Sequence, residues 1–280
     1  MNPDTASTRG ELAPPELETM ELTIDGEIGT LTLNRPDALN AMNPDMISEL
    51  PRIASWLADS APLRALIVTG AGRAFCAGGD VNWFSGGLDD DSIDLPSNVR
   101  HGADVLHQGI IDFRRIPFPV VAAVNGPAAG AGLSLALMCD TRIASEDAFF
   151  AVAYGRIGAS PDGGMTYFLP RILGPSRAIE LMLNDPNLTA QDALEAGIVA
   201  KVVPADELLP AAQRKAAKLA AMAPHYVRMA KSLIAQSLDN TLADHLQVER
   251  HGIADSMATE DLANGVRAFL AGEETTFTGR

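Results

Sequence analysis

The chain has 280 residues, 47% of them hydrophobic, and carries 21 Lys and Arg against 36 Asp and Glu, a formal charge of −15. That acidic balance argues against nucleic-acid binding, where a basic stripe must neutralise phosphates, and against adsorption to anionic lipid. Cys76 and Cys139 are the only cysteines and fit no CxxC or Cys/His spacing, so neither a disulfide framework nor a zinc site is expected, and there is no run of about 18 apolar residues to span a membrane.

Residues 1–19 read as a flexible tail. Asp4, Arg9, Glu11, Pro14 and Pro15 interrupt the apolar core that a secretory signal needs, and a cytoplasmic location is expected. From 21 to 34 the sequence alternates (ELTID, GTLTLN) around a Gly-containing turn, which predicts a β-hairpin. Asn43 as a cap, Pro44 at the first helical position, and Met46, Ile47, Leu50, Ile53 and Leu57 at helical spacing predict an amphipathic helix. The apolar runs 65–68 and 120–124 end in Gly-rich turns and read as buried strands.

Between those strands, 84–96 is rich in Gly, Asp and Ser and reads as an exposed mobile loop, its acidic part at 88–94, ahead of a helix at 99–115. Residues 130–138 (GAGLSLALM) are apolar nearly all round, as in a buried helix. Short strands at 141–144 and 201–203 and helices near 176–183 and 190–196 follow. Strands alternating with helices give an α/β core over 20–206. Residues 207–280 carry no strand signal and read as three or four helices.

Three Gly-rich turns could carry chemistry: 70–80 (GAGRAFCAGGD), 125–132 (NGPAAGAG) and 157–164 (IGASPDGG). Glycine lets a ligand approach main-chain N–H groups, and a helix N-terminus adds a positive dipole end, so such turns suit an oxyanion or a phosphate. The familiar nucleotide motifs do not fit. Phe75 stands where a dinucleotide fingerprint needs its third glycine, no GKS or GKT follows any loop, and Ser134 (GLSLA) is not in a G-x-S-x-G elbow.

The segments NRPDALN (34–40), GRAFCAGGD (72–80), PVVAAVNG (119–126), AGAG (129–132), CD (139–140) and PDGG (161–164) resemble, in order and at family spacing, the crotonase (enoyl-CoA hydratase/isomerase) superfamily. The likeness runs from about residue 21 to 280. It implies a β-β-α spiral core, a helical C-terminal part that mediates trimerisation, and a coenzyme A thioester as ligand, with no separate cofactor and no metal. By family position the N–H groups of Ala77 and Ala131 would form the oxyanion hole. Arg35, Ala38, Gly79, Asp80, Val81, Trp83, Ser134 and Tyr154 would contact substrate or CoA, with Arg73 and Arg280 as further candidates for the CoA phosphates. Trp83, Phe84, Phe149, Phe150 and Tyr154 could line an aromatic acyl pocket, and each of the five histidines reads as packed or solvated.

The pattern departs from the family at the two positions where hydratases carry glutamates, here Ser134 and Tyr154. The loop keeps one acid, Asp162, where the ring-epoxide isomerase of phenylacetyl-CoA degradation and the dienoyl-CoA isomerases also place an aspartate. The resemblance therefore implies an enoyl-CoA isomerase that shifts a double bond with the single base Asp162. The alternatives are an atypical enoyl-CoA hydratase and a catalytically silent CoA-binding subunit, with acyl-CoA hydrolysis ranked below them. A homotrimer or dimer of trimers is expected.

Overall fold

The hairpin forms where alternation put it. In the computed structural model, which describes residues 13–90 and 92–280, β1 (Met20–Asp25) and β2 (Ile28–Leu33) pair antiparallel around Gly26 at φ 58°. Next comes α1 (Pro44–Asp59), whose cap Asn43 accepts from the Met46 N–H, and then β3 (Ala65–Gly70), parallel to β2. Of the tail expected over 1–19, residues 1–12 lie outside the described residues. Further on, the N–H groups of Glu18 and Thr19 and the Thr19 hydroxyl donate to the buried carboxylate of Glu49 in α1, so the chain is anchored before β1 begins.

Most of the stretch expected as a loop at 84–96 is helical. Both α2 (Val81–Leu88) and α3 (Leu95–Arg114) start on an aspartate cap, Asp80 accepting from the Asn82 N–H and Asp94 from the Ser97 N–H. The polar residues that looked like loop chemistry thus include helix caps. The connection is confined to 89–94, where Asp90 takes the N–H and hydroxyl of Ser92.

The α/β part continues through β4 (Val120–Val124), β5 (Ala128–Ala129), α4 (Ala131–Met138), β6 (Thr141–Ser145), β7 (Phe149–Ala151), α5 (Met165–Leu173), α6 (Pro175–Asn184), β8 (Leu188–Thr189), α7 (Ala190–Glu195) and β9 (Lys201–Val203). The main sheet has the order β1-β2-β3-β4-β6-β9, parallel from β2 onward, and a small second sheet has the order β5-β7-β8.

Alternation within β3 and β4 explains why both runs are apolar throughout. Leu66, Val68, Val120, Ala122 and Val124 face a core shared with α1, α3 and α4. Ala65, Ile67, Val121 and Ala123 face the opposite side, covered by Leu208, Ala211, Ala212 and Ala216 of α8 (Leu208–Ala220). So α8, first of the helices past residue 207, packs on the sheet. Beyond it lie α9 (Pro224–Gln236), α10 (Leu242–Ser256) and α11 (Glu260–Ala271). The tail then turns back: Arg64 donates to the carbonyls of Phe277 and Met222, and the buried Asp261 accepts from the N–H groups of Thr278 and Gly279.

Candidate active site

Two backbone segments meet at the head of α4. The stretch 76–80 lies between two neighbours: the Ala129 N–H donates to the Cys76 carbonyl (3.0 Å) on one side, and the Met42 N–H to the Gly78 carbonyl (2.7 Å) on the other. Gly132, in the first turn of α4, is pressed so closely on this stretch that a Cβ there would lie 2.0 Å from the Cys76 carbonyl oxygen. Gly78 adopts φ 103°, and a Cβ on it would stand 2.9 Å from the Ala129 oxygen and 3.6 Å from the Ala131 nitrogen. Glycine at 78 and 132 is what allows the two segments to touch.

Ala131 opens α4, so its N–H has no partner within the helix and lies at the positive end of the helix dipole. The expectation for Ala77 needs correction. Its N–H donates to the Leu39 carbonyl at 3.0 Å and is engaged within the protein. Gly79, two residues on, keeps its N–H free of any protein acceptor among the described residues. At this junction Gly79 and Ala131 therefore each keep an N–H with no protein acceptor among the described residues.

Asp162 comes to the same place by way of Ser134, one turn along α4 from Ala131 and about 4.5 Å further along the helix axis. The Ser134 hydroxyl donates to the Asp162 carbonyl (3.2 Å), and a Cβ on the following Gly163 would lie 3.1 Å from the Ser134 Cβ. Tyr154, buried, donates its hydroxyl to Oδ1 of Asp162 at 2.7 Å. Burial, then the charge of Asp162 and the hydrogen bond to it, push the Tyr154 hydroxyl well above the usual tyrosine range, which keeps it a neutral donor. Asp162 itself is half-buried.

Arg35 does not stand free for a phosphate. Its guanidinium pairs with Asp80 (3.1 Å) and donates to the Ala41 carbonyl, joining the turn before α1 to the cap of α2. Ala38 closes the short helical turn Pro36–Ala38 in the same loop. Arg73 and Val81 are exposed, and Arg280 lies beside Glu260 at the start of α11. Trp83 and Phe84 form a tilted pair, ring centroids 5.1 Å apart, and Phe84 packs beside Gly79. Phe150 is fully buried in the core while Phe149 is partly exposed, as alternation requires. All five histidines lie on helices. Among the described residues no His, Cys, Asp and Glu side chains cluster as metal ligands.

A family model described as enoyl-CoA hydratase/isomerase matches residues 23–280. The chain belongs to the enoyl-CoA hydratase/isomerase family. It is 38% identical over 245 residues to the protein named "Probable enoyl-CoA hydratase, mitochondrial" from Dictyostelium discoideum, covering 88% of this chain and 85% of that one. It is 37% identical over 257 residues to the 1,2-epoxyphenylacetyl-CoA isomerase of Escherichia coli (strain K12), covering 92% and 97%. The enoyl-CoA hydratase structure from Bacillus anthracis superposes with a TM-score of 0.87 at 32% identity, over 94% of this chain and 100% of that one.

The architecture is accordingly the crotonase fold, and this member of the enoyl-CoA hydratase/isomerase family is an enzyme of acyl-CoA thioesters. Among the described residues no helix is long and apolar enough to cross a membrane. Sequence reasoning missed the choice of Gly79 over Ala77, because spacing admits either and a carbonyl remote in sequence decides. It also left the Tyr154 hydroxyl without a partner, although the loop motif and the tyrosine are only eight residues apart.

Proposed function

We propose that this enzyme moves the double bond of an enoyl-CoA, or of a related ring-derived thioester, from the 3,4 to the 2,3 position. The observation that carries the reading is the Tyr154–Asp162 hydrogen bond: hydroxyls stand at the two hydratase-glutamate positions, and both are turned onto Asp162. The Asp162 carboxylate takes a proton from C2. The electron pair spreads onto the thioester oxygen as a dienolate, and the same carboxyl group, whose proton exchanges with solvent, protonates C4 while the 2,3 double bond forms.

The N–H groups of Gly79 and Ala131 meet the oxygen as its charge grows, and each such donor is worth roughly 3–4 kcal/mol in the transition state. No metal or redox step enters. A homotrimer or dimer of trimers is part of the proposal. Large apolar side chains such as Ile234, Leu242, Phe269 and Leu270 are 74–84% exposed on the C-terminal helices, and light scattering of the purified protein reads the assembly. A cytoplasmic location is likewise proposed, in keeping with the acidic soluble-type composition.

The second reading is an atypical hydratase, favoured by the hydratase names of the Dictyostelium and Bacillus relatives. Parallel assays of 3-enoyl-CoA and 2-enoyl-CoA esters with the wild-type and Asp162→Asn proteins test the proposal. Conversion between the two esters that is lost in Asp162→Asn supports it. Hydroxyacyl-CoA as the main product, or full turnover by Asp162→Asn, rejects it.

A further inference from the structure

Two of the non-glycine residues with positive φ meet beside Tyr154: Ala153 at φ 64° and Asp185 at φ 41°. At Ala153 the Tyr154 N–H donates back to the Val152 carbonyl at 2.9 Å. That i to i+2 closure around a positive φ is the strained form of the γ-turn. Alanine persists in such a conformation only when its surroundings over-determine it, and strain of this kind concentrates at functional sites.

The surroundings here converge on one carboxylate. The Ala153 N–H donates to Oδ1 of Asp185 at 2.9 Å. On the other side of the tyrosine, Arg156 donates Nε to Oδ2 of Asp185 (2.9 Å) and Nη2 to the Asp185 carbonyl (2.9 Å) and to the Asn187 side chain (2.8 Å). Tyr154 is thus gripped from both flanks. Asp185 follows α6 in the left-handed region, a position that glycine fills at least cost. An aspartate there carries a side chain that reaches back to the turn, which glycine lacks.

We infer that Asp185, with Arg156, is a positioning clamp for the active site: it fixes the strained turn at Ala153 so that the Tyr154 hydroxyl meets Asp162. Asp185 touches no reacting atom and acts through Tyr154. Its kinetic consequence rests on the isomerase reading above, whereas its effect on the tyrosine does not.

The test uses full-length protein labelled with 13Cζ-tyrosine. The chain has three tyrosines, and the Tyr154 resonance is the one missing from Tyr154→Phe. In Asp185→Ala the Tyr154 resonance shifts, and kcat for the double-bond shift falls roughly tenfold with KM changed less than about twofold, an effect of the size that small misplacement of a reacting group produces. Asp185→Asn keeps an acceptor for the Ala153 N–H and retains most of the rate. Adding Ala153→Gly to Asp185→Ala restores part of the rate, because glycine takes the positive φ without strain.

A folded Asp185→Ala protein with an unmoved Tyr154 resonance overturns the clamp, even if its thermal midpoint drops. Should Asp185→Ala fail to fold, Arg156→Met reads the same resonance from the more exposed partner, and an unmoved signal there overturns it equally. Full turnover by Asp162→Asn would remove the isomerase reading while leaving the tyrosine resonance to decide the clamp.

Discussion

The Tyr154 hydroxyl donates to Oδ1 of Asp162 at 2.7 Å, from the position where a hydratase of this family carries a carboxylate. A second substituted position, Ser134, donates to the Asp162 backbone carbonyl, which the Tyr154 hydroxyl also approaches at 3.3 Å. The site has therefore exchanged two acids for one acid and two hydroxyls that fix it. A buried phenol beside a carboxylate cannot itself accept a proton from carbon near neutral pH, so the proposed mechanism gives the proton traffic to Asp162.

Tyr154→Phe removes that donor and nothing else of size. Hydrogen bonds to charged groups are worth roughly 1.5–3 kcal/mol, or roughly 10–100-fold in rate if realised at the transition state. Steady-state kinetics of double-bond migration should show a fall in kcat of that order. An unchanged kcat would place the bond outside catalysis.

Because the folded-state hydroxyl of Tyr154 binds its proton more tightly than in the unfolded chain, its contribution to stability is complete below about pH 10 and is lost as the pH rises further. The difference in tyrosinate absorbance near 295 nm between wild type and Tyr154→Phe should therefore develop only together with alkaline unfolding followed by circular dichroism. A Tyr154 signal that titrates near pH 10 in the folded protein would contradict the buried donor.

Burial pushes the thiols of both Cys76 and Cys139 up to about 12. Thiolate is the reactive form, so neither thiol should react with a disulfide reagent at pH 8 in the native protein, and both should react once it is denatured. Rapid native labelling would mean that the 76–80 stretch, for Cys76, or the end of α4, for Cys139, opens.

Gly132→Ala drives a methyl group into the Cys76 carbonyl, 2.0 Å away, at the contact that sets the oxyanion-hole segments side by side. Backbone on both sides leaves no rotamer to relieve it. A loss of roughly 1–3 kcal/mol or more is expected in urea unfolding, together with a larger fall in turnover than the stability change explains. Near-normal values of both would show that the two segments separate freely.

The hairpin, α1, β3, β4 and α4 were legible because each has a clean period or an uninterrupted apolar run bounded by caps and glycines. α2 was not, since Asp80 is at once a cap, an ion-pair partner of Arg35 and part of a stretch that otherwise reads as loop. β5, β7 and β8 are two or three residues each, too short to show any period. At the site, Asp162 and Ala131 are named by the family resemblance, whereas Gly79 and Asp185 depend on which carbonyl or N–H the fold brings opposite them. Those pairings join residues far apart in the chain, and no local pattern encodes them.

The central claim, one carboxylate moving one proton across an oxyanion-stabilised dienolate, is tested most directly by proton NMR of 3-enoyl-CoA esters of short, medium and phenyl-bearing acyl groups in deuterated buffer. The account expects migration to the 2-enoyl ester with deuterium entering at C2 or C4, no hydroxyacyl product, and loss of both migration and exchange in Asp162→Asn. Accumulation of 3-hydroxyacyl-CoA, or exchange that survives the loss of the Asp162 carboxylate, would contradict it.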